Sequence, residues 1–203
     1  LNGSADLNDK TYKQPLKAAK ILEAAFKAQP NHPGIAHYII HRYDVPSLAK
    51  HALPAARQYA GIAPAAPHAP HMPSHTFTRL GHWQESIDTN LRSADAALAA
   101  NSPGEAVHAI DYMTYAYLQT GQDGAAEKAL KRASEVFELV KRNDRYLVAG
   151  AYAAAAVPPR FALERGDWTA ALTVHAVESP GPFVGAIGYI TNGIRPPGSK
   201  GLW

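Results

Sequence analysis

Three glycines at similar intervals constrain the fold of this 203-residue chain more than any other feature. Gly81, Gly121 and Gly166 each follow a stretch with helical periodicity, and they stand 40 and 45 residues apart. The residue five positions after each glycine is small: Ser86, Ala126 and Ala171. Glycine takes the left-handed conformation of a tight turn, and a small residue lets two helices approach closely. The pattern predicts helix-turn-helix repeats, which bury their apolar faces against their neighbours.

The rest of the sequence also predicts an all-α chain. It is rich in alanine with helical periodicity, 46% of its residues are hydrophobic, and it has no convincing run of alternating β-branched residues. We expect antiparallel helix pairs, about three to four repeats, over residues 1–177. Residues 178–203 are rich in glycine and proline and lack an amphipathic period, which predicts an irregular tail. Pro64, Pro67 and Pro70 predict a stiff extended loop over Ala63–Pro70.

Composition excludes several kinds of site. The chain has no cysteine, so disulfides, thiolate nucleophiles and cysteine zinc sites are ruled out. Its net charge is only +3, from 20 basic and 17 acidic residues, and the basic residues over 128–145 alternate with acidic ones, which argues against nucleic-acid binding. No run of 18 apolar residues occurs, so no membrane span is expected. These properties leave the compartment open between the cytoplasm and the periplasm.

Six histidines fall within forty-four residues at spacings that suit metal ligands: His32, His37, His41, His68, His71 and His75. Two pairs among them are four residues apart, and that step places both imidazoles on one face of a helix. Two such pairs on neighbouring helices would surround one small volume with nitrogen donors. An ordinary polar or half-buried role remains the alternative for each histidine taken alone.

Zinc takes three or four nitrogen or oxygen ligands, and a catalytic zinc keeps one position for water. His37, His41, His71 and His75 can supply such a set across two helices. Asp44 can act as a fifth ligand, as a partner that orients an imidazole, or as a general base. It can also be the N-cap of the helix after Pro46.

Longer stretches of text resemble a known family. PNHPGIAHYIIHRYD, IAPAAPHAPHMPSHTFTRLGHW, HAIDYMTYAYLQTGQ and RFALERGDW together resemble a bacterial family of long tetratricopeptide-repeat proteins. The resemblance covers residues 8–175, and members usually run well beyond this length, so we read the chain as a partial-length member. It implies a TPR-like α-solenoid in which the first helix of each pair lines a concave groove. The family brings no settled function with it.

Aligning the repeats on their glycines brings further residues into register. His68 and His108 stand thirteen positions before a glycine, and His71 and Asp111 stand ten before. We therefore predict that Asp111 and His108 are catalytic, with a groove-facing salt bridge as the alternative for Asp111. We place the remaining polar candidates at the rim of the site or behind its ligands: His68, His32, Asp44, Tyr115 and Arg79.

The sequence favours a metal-dependent hydrolase of the zinc type, acting on a small-molecule or peptide substrate in the groove. Two alternatives stay open. One is a protein-interaction scaffold without catalysis, and the other is a metal-binding module, since histidine ligation also suits copper or iron. The chain contains no P-loop, no GxSxG elbow and no HExxH motif, so none of these common catalytic signatures decides the matter.

Overall fold

The computed structural model describes residues 10–141 and 148–174, and this part of the chain is all-α, without a strand. The predicted fold class is therefore confirmed. The chain divides after Ala100 into two compact units, called here the first and the second unit. The predicted tail, residues 178–203, lies outside the described residues.

The first unit is a set of helices joined by short connections. Its elements are α1 (Lys13–Ala28), α2 (Pro33–Tyr43), a 3-10 helix (Ala49–Ala52), α3 (Leu53–Ile62), α4 (His68–His71), α5 (Pro73–Leu80) and α6 (Trp83–Ala99). Helix α2 packs against α1, α3 and α5, and α6 packs against α4 and α5. Apolar residues of α2, α3 and α5, among them Ile39, Ile40 and Phe77, form the core beneath the histidine-bearing helices.

The loop predicted over Ala63–Pro70 is wrong at its C-terminal end. His68 already begins α4, which includes Pro70. Proline is tolerated in the first turn of a helix because its missing N–H would have no helical partner there, and its fixed φ suits the helix. Pro70 in α4 and Pro73 at the start of α5 both use this freedom. His68 therefore lies on a helix instead of on a loop.

The predicted glycine turns are confirmed. Gly81, Gly121 and Gly166 have φ values of 72°, 67° and 67°, in the left-handed region. In each turn the residue after the glycine donates its backbone N–H to the carbonyl five residues earlier, at 2.9 Å. This is the Schellman closure of a helix C-terminus. The small residues that follow, at positions 86, 126 and 171, are fully buried, as close helix approach requires.

The second unit contains α7 (Pro103–Gln119), α8 (Asp123–Lys141), α9 (Val148–Glu164) and α10 (Trp168–Leu172). Helix α7 packs against both α8 and α9. Its contact with α9 is backbone on backbone, because a Cβ added to Gly150 would lie 2.7 Å from the Cα of Gly104. Small and aliphatic side chains such as Ala106, Ile110 and Val157 fill the rest of the interface.

Candidate metal centre

Five imidazoles of the first unit form a closed ring of neighbours. Ring centroids lie 4.7 Å apart for His37 and His41, 6.5 Å for His41 and His75, and 5.0 Å for His75 and His71. The ring closes through His68, whose centroid is 5.9 Å from that of His71 and 5.2 Å from that of His37. We call these five residues the histidine ring. Helix α2 contributes two of them, and α4 and α5 contribute the other three.

Within the ring the Nε2 atoms approach in pairs. The Nε2 atoms of His37 and His41 are 2.9 Å apart, and those of His71 and His75 are 3.1 Å apart. Two nitrogens bound to one tetrahedral zinc ion stand about 3.3 Å apart, since each lies about 2.0–2.1 Å from the metal. His71 and His75 therefore present ring nitrogens close enough to hold one metal ion. The i, i+4 spacing produces this geometry because it stacks two imidazoles on one helix face.

The orientation and tautomer of the His71 imidazole are set by α6. Its Nδ1 lies 2.8 Å from Oδ1 of Asn90, while Nδ2 of Asn90 donates to the carbonyl of Ser86 at 2.8 Å. A carbonyl only accepts, so the Asn90 amide nitrogen must face Ser86 and its oxygen must face His71. His71 therefore donates from Nδ1, and in the neutral imidazole Nε2 carries a lone pair. Only 2% of His71 is exposed, which locks the ring in this orientation.

The outer nitrogen of His75 is hydrogen-bonded to the carboxylate of Asp44. Its Nδ1 donates to Oδ2 of Asp44 at 3.0 Å, and Nε of Arg79 donates to Oδ1 of the same carboxylate at 3.0 Å. Burial alone would raise the pKa of Asp44, but the hydrogen bonds and charges of His75 and Arg79 outweigh it and hold that pKa below its usual value. Asp44 is thus an ionised acceptor that orients the imidazole, an arrangement common behind metal-ligating histidines. The next helical element, the 3-10 helix Ala49–Ala52, has Leu48 as its N-cap, so the N-cap alternative for Asp44 is wrong.

The α2 histidines are neutral near pH 7. Burial, followed by the charges of His41, His68 and His75, lowers the pKa of His37 to about 4. Burial and the neighbouring His75 also lower the pKa of His41, while Asp44 offsets part of that shift. The Nδ1 of His37 lies 3.3 Å from the hydroxyl of Tyr59, so its Nε2 is the atom that faces His41. Neutral imidazoles are the form that binds metal.

The two Nε2 pairs do not merge into one tight set. Among the described residues of the first unit, no three histidine or carboxylate donor atoms all lie within 4.8 Å of one another. The structure brings His37, His41, His71 and His75 into one ring, with the two pairs as separate neighbours. His68, which we expected at the rim, belongs to the ring and is its exposed member.

The remaining predicted site residues are not members of the histidine ring. His32 is the exposed N-cap of α2, where its Nδ1 accepts from the N–H of Ile35 at 3.4 Å. Asp111, His108 and Tyr115 all lie on α7 in the second unit. The predicted catalytic role of Asp111 and His108 stays a prediction.

Asp111 forms a buried ion pair with Arg160 of α9, whose guanidinium also stands 5.4 Å from the centroid of the Tyr115 ring. This matches the salt-bridge alternative. Burial raises the pKa of Asp111 to about 6, against the opposing charge of Arg160. His108 contacts the ring of Tyr112 edge-on, with centroids 5.5 Å apart.

Asn90 and Tyr59 are partners of the ring that the sequence reading missed. One signal was available for Asn90. Ser86, Asn90 and Ser93 recur at helical spacing on the face of α6 where a repeat protein places small or apolar residues, and all three are buried. A polar stripe in a core position indicates a hydrogen-bond network across the interface. Tyr59 has no comparable signal, because only the packing of α3 against α2 brings its hydroxyl to His37.

Comparison with protein-family models, with curated proteins and with solved structures found no match. The tetratricopeptide resemblance therefore stays a prediction, and the histidine ring itself has to carry the functional argument. No helix in the described part of the chain is long and apolar enough to cross a membrane.

Proposed function

We propose that the histidine ring binds a divalent transition metal, zinc in the first place, through His37, His41, His71 and His75. The proposal rests on the different partners of the two nitrogens in each imidazole ring. In the imidazoles of His37, His71 and His75, Nδ1 faces an oxygen of Tyr59, Asn90 or Asp44, while Nε2 faces another histidine. Metal-ligating histidines have this arrangement, with the outer nitrogen held by a partner and the inner one directed at the ion.

The donor set decides which ions fit. The ring offers neutral imidazole nitrogens, which suit zinc, copper, iron and nickel, whereas magnesium and calcium prefer oxygen ligands. A scaffold that only binds a peptide needs no buried imidazole with a fixed tautomer. The buried His71–Asn90–Ser86 chain therefore favours metal binding over the interaction-scaffold alternative.

We further propose that the loaded protein is a metal-dependent hydrolase acting on a small molecule or peptide. A divalent ion held by neutral ligands would lower the pKa of bound water to about 7 and polarise an ester, amide or phosphoryl oxygen. His37, His41, His71 and His75 would hold the metal, and Asp44, Asn90 and Tyr59 would keep the imidazoles of His75, His71 and His37 oriented. His68 lies at the exposed edge of the ring, where a substrate would enter.

The test is hydrolysis of a panel of activated esters and phosphoesters by untagged protein loaded with zinc. Wild type should turn over at least one substrate, and both chelation and His71→Ala should remove most of that rate. His51→Ala is the matched control, because His51 is an exposed histidine of the same unit outside the ring. Asp111→Asn should keep its metal, and a slower rate in that variant would support the predicted role of Asp111 as a base.

Equal rates for wild type, chelated protein and His71→Ala would remove the hydrolase proposal. Metal binding without any turnover would leave a metal-binding module, the copper or iron alternative included. Absence of both metal binding and turnover would leave the scaffold.

A further inference from the structure

The spacing of the five imidazoles in the ring is uneven. Two imidazoles bound through Nε2 to one tetrahedral ion have ring centroids about 5 Å apart, since each centroid lies about 3 Å from the metal. Three neighbour distances in the ring fit this value: 4.7 Å for His37 and His41, 5.2 Å for His37 and His68, and 5.0 Å for His71 and His75. The two remaining distances, 6.5 Å and 5.9 Å, are longer.

The longer distances cut the ring into two groups. His37, His41 and His68 form the first group, and His71 with His75 form the second. The donor atoms agree with this division, because each group contains one close Nε2 pair. Among the described residues of the first unit, no set of three donor atoms lies within 4.8 Å. Collecting all four pair members around a single ion would need both helix-borne pairs to move toward each other.

The supports of the two groups are also separate. Asn90 of α6 and Asp44 hold the outer nitrogens of His71 and His75, whereas Tyr59 of α3 faces that of His37. Each close Nε2 pair therefore has a support of its own. Resting on the proposed metal-binding function, we propose that the histidine ring is a dinuclear centre that takes two divalent transition-metal ions.

His37, His41 and His68 are ligands of one ion, and His71 and His75 are ligands of the other. His68 completes the first group by rotation of its exposed side chain, since its nitrogens do not yet lie within 4.8 Å of both partners. Two neighbouring ions of this kind, about 3.5–4 Å apart in known two-metal hydrolases, stabilise both the attacking and the leaving oxygen of a displacement. The substrate class that benefits most is a phosphoester.

Metal stoichiometry tests the proposal. Untagged, metal-free protein is titrated with Zn²⁺ by calorimetry, and the bound metal is then measured after dialysis. Wild type should take up two equivalents. The double variants His37→Ala/His41→Ala and His71→Ala/His75→Ala should each retain one, and the variant with all four changes gives the background. Circular dichroism confirms that each variant is helical.

A single equivalent in wild type that is lost in both double variants would overturn the dinuclear centre and leave the proposed metal binding intact. No uptake above the background would overturn both. Electron paramagnetic resonance of the Cu²⁺-loaded wild type gives the same answer without any substitution. Two coupled ions are expected, and an uncoupled signal from one ion per chain would contradict the proposal.

Discussion

The two units bury different kinds of side chain. In the first unit, polar residues such as His71, Ser74, Thr76 and Asn90 are buried between helices. The second unit packs alanines, aliphatic residues and two glycines, and its buried polar residues are Asp111 and Thr114 among those that the structure describes. Burial of polar groups costs free energy unless they are hydrogen-bonded, and the first unit supplies such bonds from Asn90 to His71 and to Ser86. The contrast agrees with the proposal that the first unit holds a metal site.

The largest effect expected from this contrast is in the second unit. Gly150→Ala should lower the free energy of unfolding by about 3 kcal/mol, because the new methyl group would overlap the backbone of Gly104. Gly124→Ala is the control, since a Cβ there meets nothing within 4 Å and alanine favours a helix. Chemical denaturation measures both. Equal stability of the two variants would show that the glycine contact does not hold α7 and α9 together.

The first unit should respond in metal affinity instead. Asp44→Asn removes the charge behind His75 and should weaken zinc binding about 10- to 100-fold, the usual cost of losing such a partner. Arg79→Gln is the matched control, because it removes the other partner of Asp44 and leaves the bond to His75. Competition with a chromogenic chelator measures the affinities. An equal loss in both variants would mean that general charge near the ring matters and that the Asp44–His75 bond does not.

The smallest expected effect is on the pH dependence of stability, which has opposite signs for His37 of the first unit and Asp111 of the second. The pKa of His37 is lowered to about 4 in the folded metal-free chain. As pH falls from 6.5 to 4, the imidazole of His37 is therefore protonated in the unfolded chain before it is protonated in the folded one. The free energy of unfolding decreases over this pH range. The raised pKa of Asp111, about 6, has the opposite sign, and its contribution increases as pH falls from 6 to 4.

Unfolding measured across this pH range separates the two contributions. Asp111→Asn should make the loss of stability in acid steeper than in wild type, and His37→Ala should make it shallower. Parallel curves for the three proteins would contradict both assignments.

The glycine turns and the close histidine pairs follow from the sequence alone because both depend on local spacing. A glycine turn and an i, i+4 histidine pair are set by helix geometry within one segment, as Gly81 and the His71–His75 pair illustrate. The residues that hydrogen-bond to these histidines are harder to predict from the sequence, because Asn90 and Tyr59 meet them only through packing between helices. The predicted loop Ala63–Pro70 is wrong at its end for a different reason. The prolines of α4 and α5 stand near helix starts, where a helix tolerates them.

Metal uptake by the untagged chain tests the central claim most directly. Metal-free wild type, the variant lacking His37, His41, His71 and His75, and His51→Ala are dialysed against the same low concentration of Zn²⁺, and bound zinc is measured by mass spectrometry. The account predicts that wild type and His51→Ala bind zinc equally and that the fourfold variant, still helical by circular dichroism, binds none. Equal zinc content in wild type and the fourfold variant would contradict it.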